Sequence, residues 1–308
     1  MQQFENNILD TALLLEGGGM RGSYTAGAIN MLLEAEIHLN YVAGISAGAT
    51  NLVNYLARLP QRSKRCFVDI SSDPDFGGWK TVLKGKGIFD THHMYYDLTE
   101  PGGMLELDYV RFAANPAEWR IGVYNAQRGE EIYFSQNQVD SEQKLTHVCK
   151  ASGSMPIATP VTYIAGEACM DGAIGPSGGI PLDVAQADGY EKFLVLLTRP
   201  REYLKENRLP DLAYRCLLER YPQAAQSLIE RPINYNRTRA ELDRLESEGK
   251  AYVFYPQHMG VANFEDNPEK LEESFAAGYE QMRGTVSYTH LTLPTIAAEC
   301  RSRWSPYH

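Results

Sequence analysis

Three features of the 308-residue chain supply the residue types that nucleophilic catalysis needs. The first is Gly44-Ile45-Ser46-Ala47-Gly48, which has the G-x-S-x-G form of a nucleophile elbow. In such an elbow a strand turns so sharply into a helix that the residues two before and two after the serine must be tiny. The hydroxyl is then left exposed at the strand's end. Alone the motif says little, because five loosely specified positions recur by chance. A serine hydroxyl is also a poor nucleophile until a base takes its proton and an anion hole receives the developing charge.

The second feature, Glu16-Gly17-Gly18-Gly19-Met20-Arg21-Gly22, offers the anion hole. Gly17, Gly18 and Gly19 can expose backbone N–H groups without side-chain obstruction, at a helix N-terminus whose dipole favours an oxyanion. Arg21 would either add a fixed positive charge or tie the loop down. The third feature is the base, for which there are two candidates. Asp171 lies in Met170-Asp171-Gly172-Ala173, directly after a strand, although Asp-Gly is also a favoured turn pair. His258 would complete the chain order Ser, Asp, His of an α/β-hydrolase, although a loop histidine is the commoner fate. The residue pattern leaves the two open.

Gly17-x-Gly19-x-x-Gly22 also satisfies G-x-G-x-x-G, the dinucleotide fingerprint of an oxidoreductase. That fold wants an acid roughly 20 residues on, at the end of the second strand. Here the second strand ends in Gly44-Ile45-Ser46, so the acid is missing and the elbow stands in its place. A non-catalytic lipid-binding protein of the same fold is the other alternative.

The elements that must position these residues read as an α/β unit. The apolar run Thr11–Leu15 is expected to be a buried parallel strand, followed by the glycine loop and a helix over 23–36. Tyr41–Ile45 is the second strand and 47–59 the second helix, giving strand, loop, helix, strand, elbow, helix. Residues 60–118 lose this regularity, and they suggest a cap whose aromatics, between Phe76 and Met104, meet acyl chains. Lys80, Lys84 and Lys86 would there face headgroups, or simply solvent. Hairpins are expected at 119–134 and 161–170, a helix over 139–152, and a buried strand at Phe193–Thr198. Polar-faced helices then fill 209–249, before a strand at 251–255. Asn267 and Pro268 suit the start of a last helix bearing Leu271, Phe275, Tyr279 and Met282 on one face. After Gly284 the periodicity stops, and residues 285–308 resemble an adapter read-through more than a native terminus. They are set outside a domain spanning 1–284.

Composition narrows the function classes. With 44% hydrophobic and 22% charged residues the chain is an ordinary globular one, and its net charge of −10 argues against a broad nucleic-acid surface. The five cysteines are odd in number and scattered, so a disulfide framework or zinc site is not expected. His92-His93 lacks partners at metal spacing. The N-terminus lacks a signal peptide's basic and apolar regions, and no apolar run reaches the roughly 18 residues of a spanning helix. A cytoplasmic location is expected.

The glycine loop as GGGxRG, the elbow GISAG about two dozen residues later, DGA at Asp171, and Ala151-Ser152-Gly153-Ser154-Met155-Pro156 before it together resemble the patatin-like phospholipases. The motifs cover about residues 11 to 200. The resemblance implies a three-layer α/β/α sandwich with a mostly parallel central sheet, and a Ser–Asp dyad without histidine. It makes Ser46 the nucleophile and Asp171 the base, with Gly44 and Gly48 shaping the elbow. Gly17, Gly18 and Gly19, with Arg21 and Gly22, become the oxyanion hole. The activity it implies is hydrolysis of lipid carboxylic esters, with no metal or organic cofactor. A lipid or ester is then the substrate, and contact with a membrane surface is transient. A lone aspartate with an ordinary pKa near ~3.9 must be buried to serve as a base near neutrality.

Overall fold

The computed structural model describes residues 4–292. In chain order its strands are β1 (Ile8–Leu15), β2 (Leu39–Ile45), β3 (Glu118–Asn125), β4 (Glu130–Phe134), β5 (Thr162–Ile164), β6 (Glu167–Asp171), β7 (Lys192–Leu196) and β8 (Ala251–Phe254). The helices are α1 (Gly22–Glu34), α2 (Ala47–Leu56), α3 (Pro60–Phe67), α4 (Trp79–Leu83), α5 (Tyr109–Ala114), α6 (Glu142–Ser152), α7 (Leu182–Ala187), α8 (Asp211–Leu217), α9 (Pro222–Ser247) and α10 (Pro268–Thr292).

The strands form one sheet in the order β5-β6-β3-β2-β1-β7-β8, with β4 also paired to β3. β1, β2, β3, β7 and β8 run parallel, and the two hairpins add the antiparallel part. β1 lies at the centre because its residues are apolar on both faces, as a strand covered on two sides requires. Alternation divides them: Leu13 and Leu15 pack with α1, α2, α6 and α10, while Ala12 and Leu14 pack with α7 and α9. The result is the expected three-layer α/β/α sandwich.

Residues 60–118 are more regular than the sequence suggested. They hold α3, α4 and α5, and α3 with the segments between these helices closes over a separate apolar cluster. In it Phe76 stacks on Phe89 at 4.6 Å between centroids, alongside Phe67, Ile70 and Leu105. Lys86 pairs with Asp90 at 2.5 Å and Lys84 with Asp75 at 3.7 Å, whereas Lys80 is exposed.

The last helix begins as expected, with Asn267 Oδ1 accepting from Lys270 N at 3.1 Å. It does not stop at Gly284. It continues to Thr292, and Val286, four residues after Met282, is buried beside Met282 and Phe254, so the same apolar face runs past Gly284. Residues 293–308 lie outside the described residues. α10 crosses α1 at backbone contact, since a Cβ on Gly27 would collide with the Phe275 carbonyl and one on Gly278 with the Tyr24 carbonyl.

Candidate active site

The elbow owes its shape to its glycines. Ser46 sits between β2 and α2 with φ 57°, a left-handed conformation that a side chain rarely adopts and that costs on the order of 1–3 kcal/mol. A Cβ on Gly44 would strike the Gly48 carbonyl, and one on Gly48 the Leu15 carbonyl. The turn is therefore pressed against itself and against the end of β1. A serine that the sequence had not singled out for a role completes it: Ser152 Oγ accepts from Ser46 N at 2.7 Å and donates to Gly122 O at 2.6 Å. This hydroxyl ties the end of α6 to both β2 and β3.

Asp171 ends β6, where β3 holds it in register opposite Val123. Its N–H donates to Ser154 O at 2.8 Å, and its carboxylate accepts from Ala173 N at 2.9 Å. Ser46 and Asp171 are each 5% exposed. Burial pushes the Asp171 pKa above its ordinary value, against the opposing pull of the Ala173 amide, the distant cation of Arg231 and the Ser46 hydroxyl. His258 stands apart. It neither bonds to Ser46 or Asp171 nor lines the pocket over them.

The glycine loop divides its amides. Gly17 N donates to Gly179 O, Met20 N to Asn263 O and Arg21 N to Gly18 O, while Gly22 N turns back to Gly19 O and Met20 O. The amides of Gly18 and Gly19 have no acceptor among the described residues. Gly19 needs its glycine, at φ 55° with a Cβ that would collide with the Asn263 carbonyl. Gly22 packs on Phe67 and Ala47. Arg21 does not reach toward Ser46: its guanidinium Nε donates to Thr198 O at 3.1 Å, and Thr198 Oγ1 donates in turn to Gly17 O at 3.0 Å. Of the two roles left open for Arg21, its geometry is that of a tie. Thr198 and Asn263 were not foreseen. For Thr198 the signal was its place just past the carboxyl end of a parallel strand, where α/β sheets put their sites.

A pocket enclosing about 710 Å³ of space, open at its mouth, lies over Ser46. Gly19, Met20 and Ala47 form its floor beside Ser46, and its walls include Phe67, Ile70, Phe89, Met94, Leu105 and Met155. Most of those walls come from the 60–118 stretch.

A buried serine on a left-handed elbow and a buried aspartate at the end of a neighbouring strand stand together in a mixed α/β sheet. The chain belongs to the patatin-like phospholipase family, whose model matches residues 13–185. A second model, a domain of unknown function designated DUF6363, matches residues 221–288. The chain is 24% identical over 193 residues to the uncharacterized protein YjjU of Escherichia coli, a match covering 62% of this chain and 52% of that protein. It thus spans about half the length of this curated relative. Among solved structures its fold is like that of VipD from Legionella pneumophila, with a TM-score of 0.51 and 17% identity over 91% of this chain and 67% of the other. A match to the complex of SpcU with ExoU from Pseudomonas aeruginosa has a TM-score of only 0.26, at 17% identity over 74% of this chain and 53% of the other. Among the described residues no helix is long and apolar enough to cross a membrane.

Proposed function

We propose that this protein is a serine hydrolase of lipid carboxylic esters, working through a Ser46–Asp171 dyad. The observation that carries this reading is a buried Ser46 on the elbow, at the floor of an apolar pocket and beside two free amides, whose hydroxyl acts on the carboxylate of a buried Asp171.

In the proposed reaction Ser46 Oγ attacks the ester carbonyl while Asp171 takes its proton. The tetrahedral oxyanion is received by the N–H groups of Gly18 and Gly19, joined by that of Ala47, which in the first turn of α2 has no intrahelical acceptor. Collapse expels the alcohol, which leaves with the proton from Asp171. Water activated by the same carboxylate then releases the fatty acid. The roles of Gly17, Arg21 and Gly22 are to hold the loop in place. Met94, Phe89 and Leu105 present the apolar surface that an acyl chain would cover. The substrate is therefore expected to carry a long acyl chain.

A fluorophosphonate probe tests this directly, and labelling should be confined to Ser46 and vanish in Ser46→Ala. Turnover of long-chain over short-chain p-nitrophenyl esters should follow. A labelled protein with no turnover on any ester or phospholipid would favour the lipid-binding alternative.

A further inference from the structure

A second cavity, enclosing about 570 Å³, opens where the loop after β7, helix α9 and the segment before α10 meet Arg21. It shares no lining residue with the pocket over Ser46. Its chemistry is the reverse. Arg21, Arg199, Lys205, Arg208 and Arg231 converge on it, and its lining holds a single carboxylate, the exposed Glu206. None of the five makes an ion pair among the described residues, although neighbouring Arg201 pairs with both Asp243 and Glu246. In a chain with ten more acids than bases, such a gathering without an ion-pair partner is costly.

The cations are also short of hydrogen-bond partners. Arg21 is 4% exposed and its Nη1 has no acceptor; Arg199 Nε and Arg231 Nε are likewise buried without one. Glu16, a buried acid that attracts Arg21 and Lys205 through space, already accepts from Thr198 N and ion-pairs with neither. Burial first, then Arg231, pushes the Lys205 pKa down to about 6, and burial with Arg199 lowers that of Arg21 to about 10. The frame is nonetheless well held. Lys205 N and O both bond Asn236 at 3.0 Å, Asn207 Nδ2 bonds Ile229 O at 3.0 Å, and the Arg199 guanidinium lies 4.4 Å from the Tyr203 ring centre. Several guanidinium forks fixed around one polar space suit a tetrahedral dianion, which can accept from all of them at once.

We propose that this cavity binds a phosphate-class dianion, either inorganic phosphate or a phosphomonoester headgroup. Two of its contributors, Arg231 and Asn263, belong to the 221–288 segment, and a third, Arg21, belongs to the glycine loop. The ligand thus bridges the two matched segments.

Calorimetric titration of the full chain with inorganic phosphate, at constant ionic strength set by chloride, tests the site. One-to-one saturable binding is expected, weakened at least tenfold in Arg231→Gln and in Arg199→Gln. Ser46→Ala should bind phosphate as the unaltered protein does, which separates this site from the proposed catalytic one. Lys205→Met covers the case in which an arginine variant fails to fold. It should lose phosphate affinity while its melting midpoint holds or rises, whereas a merely structural lysine would lower the midpoint. Glycerol 3-phosphate distinguishes the sources: tighter binding than phosphate assigns a lipid-type headgroup, and equal binding assigns free phosphate. No saturable binding of either at millimolar concentration overturns the proposal.

Discussion

Two cavities flank one loop, and they could hardly differ more. Over Ser46 the glycine loop faces methionine, phenylalanine and leucine; past Arg21 it faces three arginines and a lysine. The apolar side is assembled mainly from one insertion, residues 60–118, whereas the basic side is gathered from positions scattered between 21 and 263. The difference teaches how one backbone segment can serve two chemistries. Gly19 lines the first side with an amide that no acceptor among the described residues takes, while Arg21 lines the second and is tied to Thr198.

The division can be broken most severely at the nucleophile. Ser46→Ala should lower ester hydrolysis by about 10⁴-fold or more, by analogy with other serine hydrolases, with no change in phosphate affinity. Asp171→Asn comes next, with a loss on the order of 10³–10⁴ in kcat, as expected when a base can no longer accept the proton. His258→Ala should remain within about twofold of the unaltered protein in the same esterase assay. If the histidine variant is dead and the asparagine variant active, the dyad is wrong. Because Asp171 must be ionised to act and burial raises its pKa, activity should fall as pH drops, and this acid limb should lie above the ordinary aspartate value of 3.8.

A smaller effect sharpens the contrast between charge neutralised by a ligand and charge neutralised by burial. Glu131 accepts from Ser177 N, Ser177 Oγ and the Tyr133 hydroxyl, and burial together with Asp183 raises its pKa to about 7. The native state therefore keeps a proton that the unfolded chain releases near the ordinary 4.5. Between those values the folded protein binds more protons, so this contribution is present at low pH and is lost as pH rises toward 7. Glu131→Gln should flatten that dependence by on the order of 1–3 kcal/mol, read from denaturant melts at pH 5 and pH 8.

The catalytic side was legible because its demands are local. Gly44, Gly48 and Gly19 are dictated by backbone crowding within a few residues, and crowding leaves glycine as the readable mark. Asp171 was narrowed from two candidates only by resemblance, since its partner is set by the β3–β6 pairing, which no local pattern encodes. The parallel sheet followed from apolar runs bounded by turn residues, whereas its three-layer form came only with the resemblance. The basic cavity was not legible at all: Arg199, Lys205 and Arg231 each read as ordinary surface cations, and only the packing of the post-β7 loop on α9 brings them together. The end of α10 was missed although Val286 falls four residues after Met282 on the same face, because the residues around Val286 are polar and hid one more turn of the spacing.

The backbone contact between α1 and α10, and the place of β7 beside β1, bear on how such a protein can be inherited. The segment matched to the family ends at residue 185, before β7, β8 and α10. A gene copy carrying only that segment would leave β1 with one bare, unpaired edge along its apolar residues 12–15, a surface that invites aggregation. It would also strip the helix that lies against Gly27. The matched segment and the last third of the chain are therefore one packed unit, and a cut between them would expose the sheet's interior.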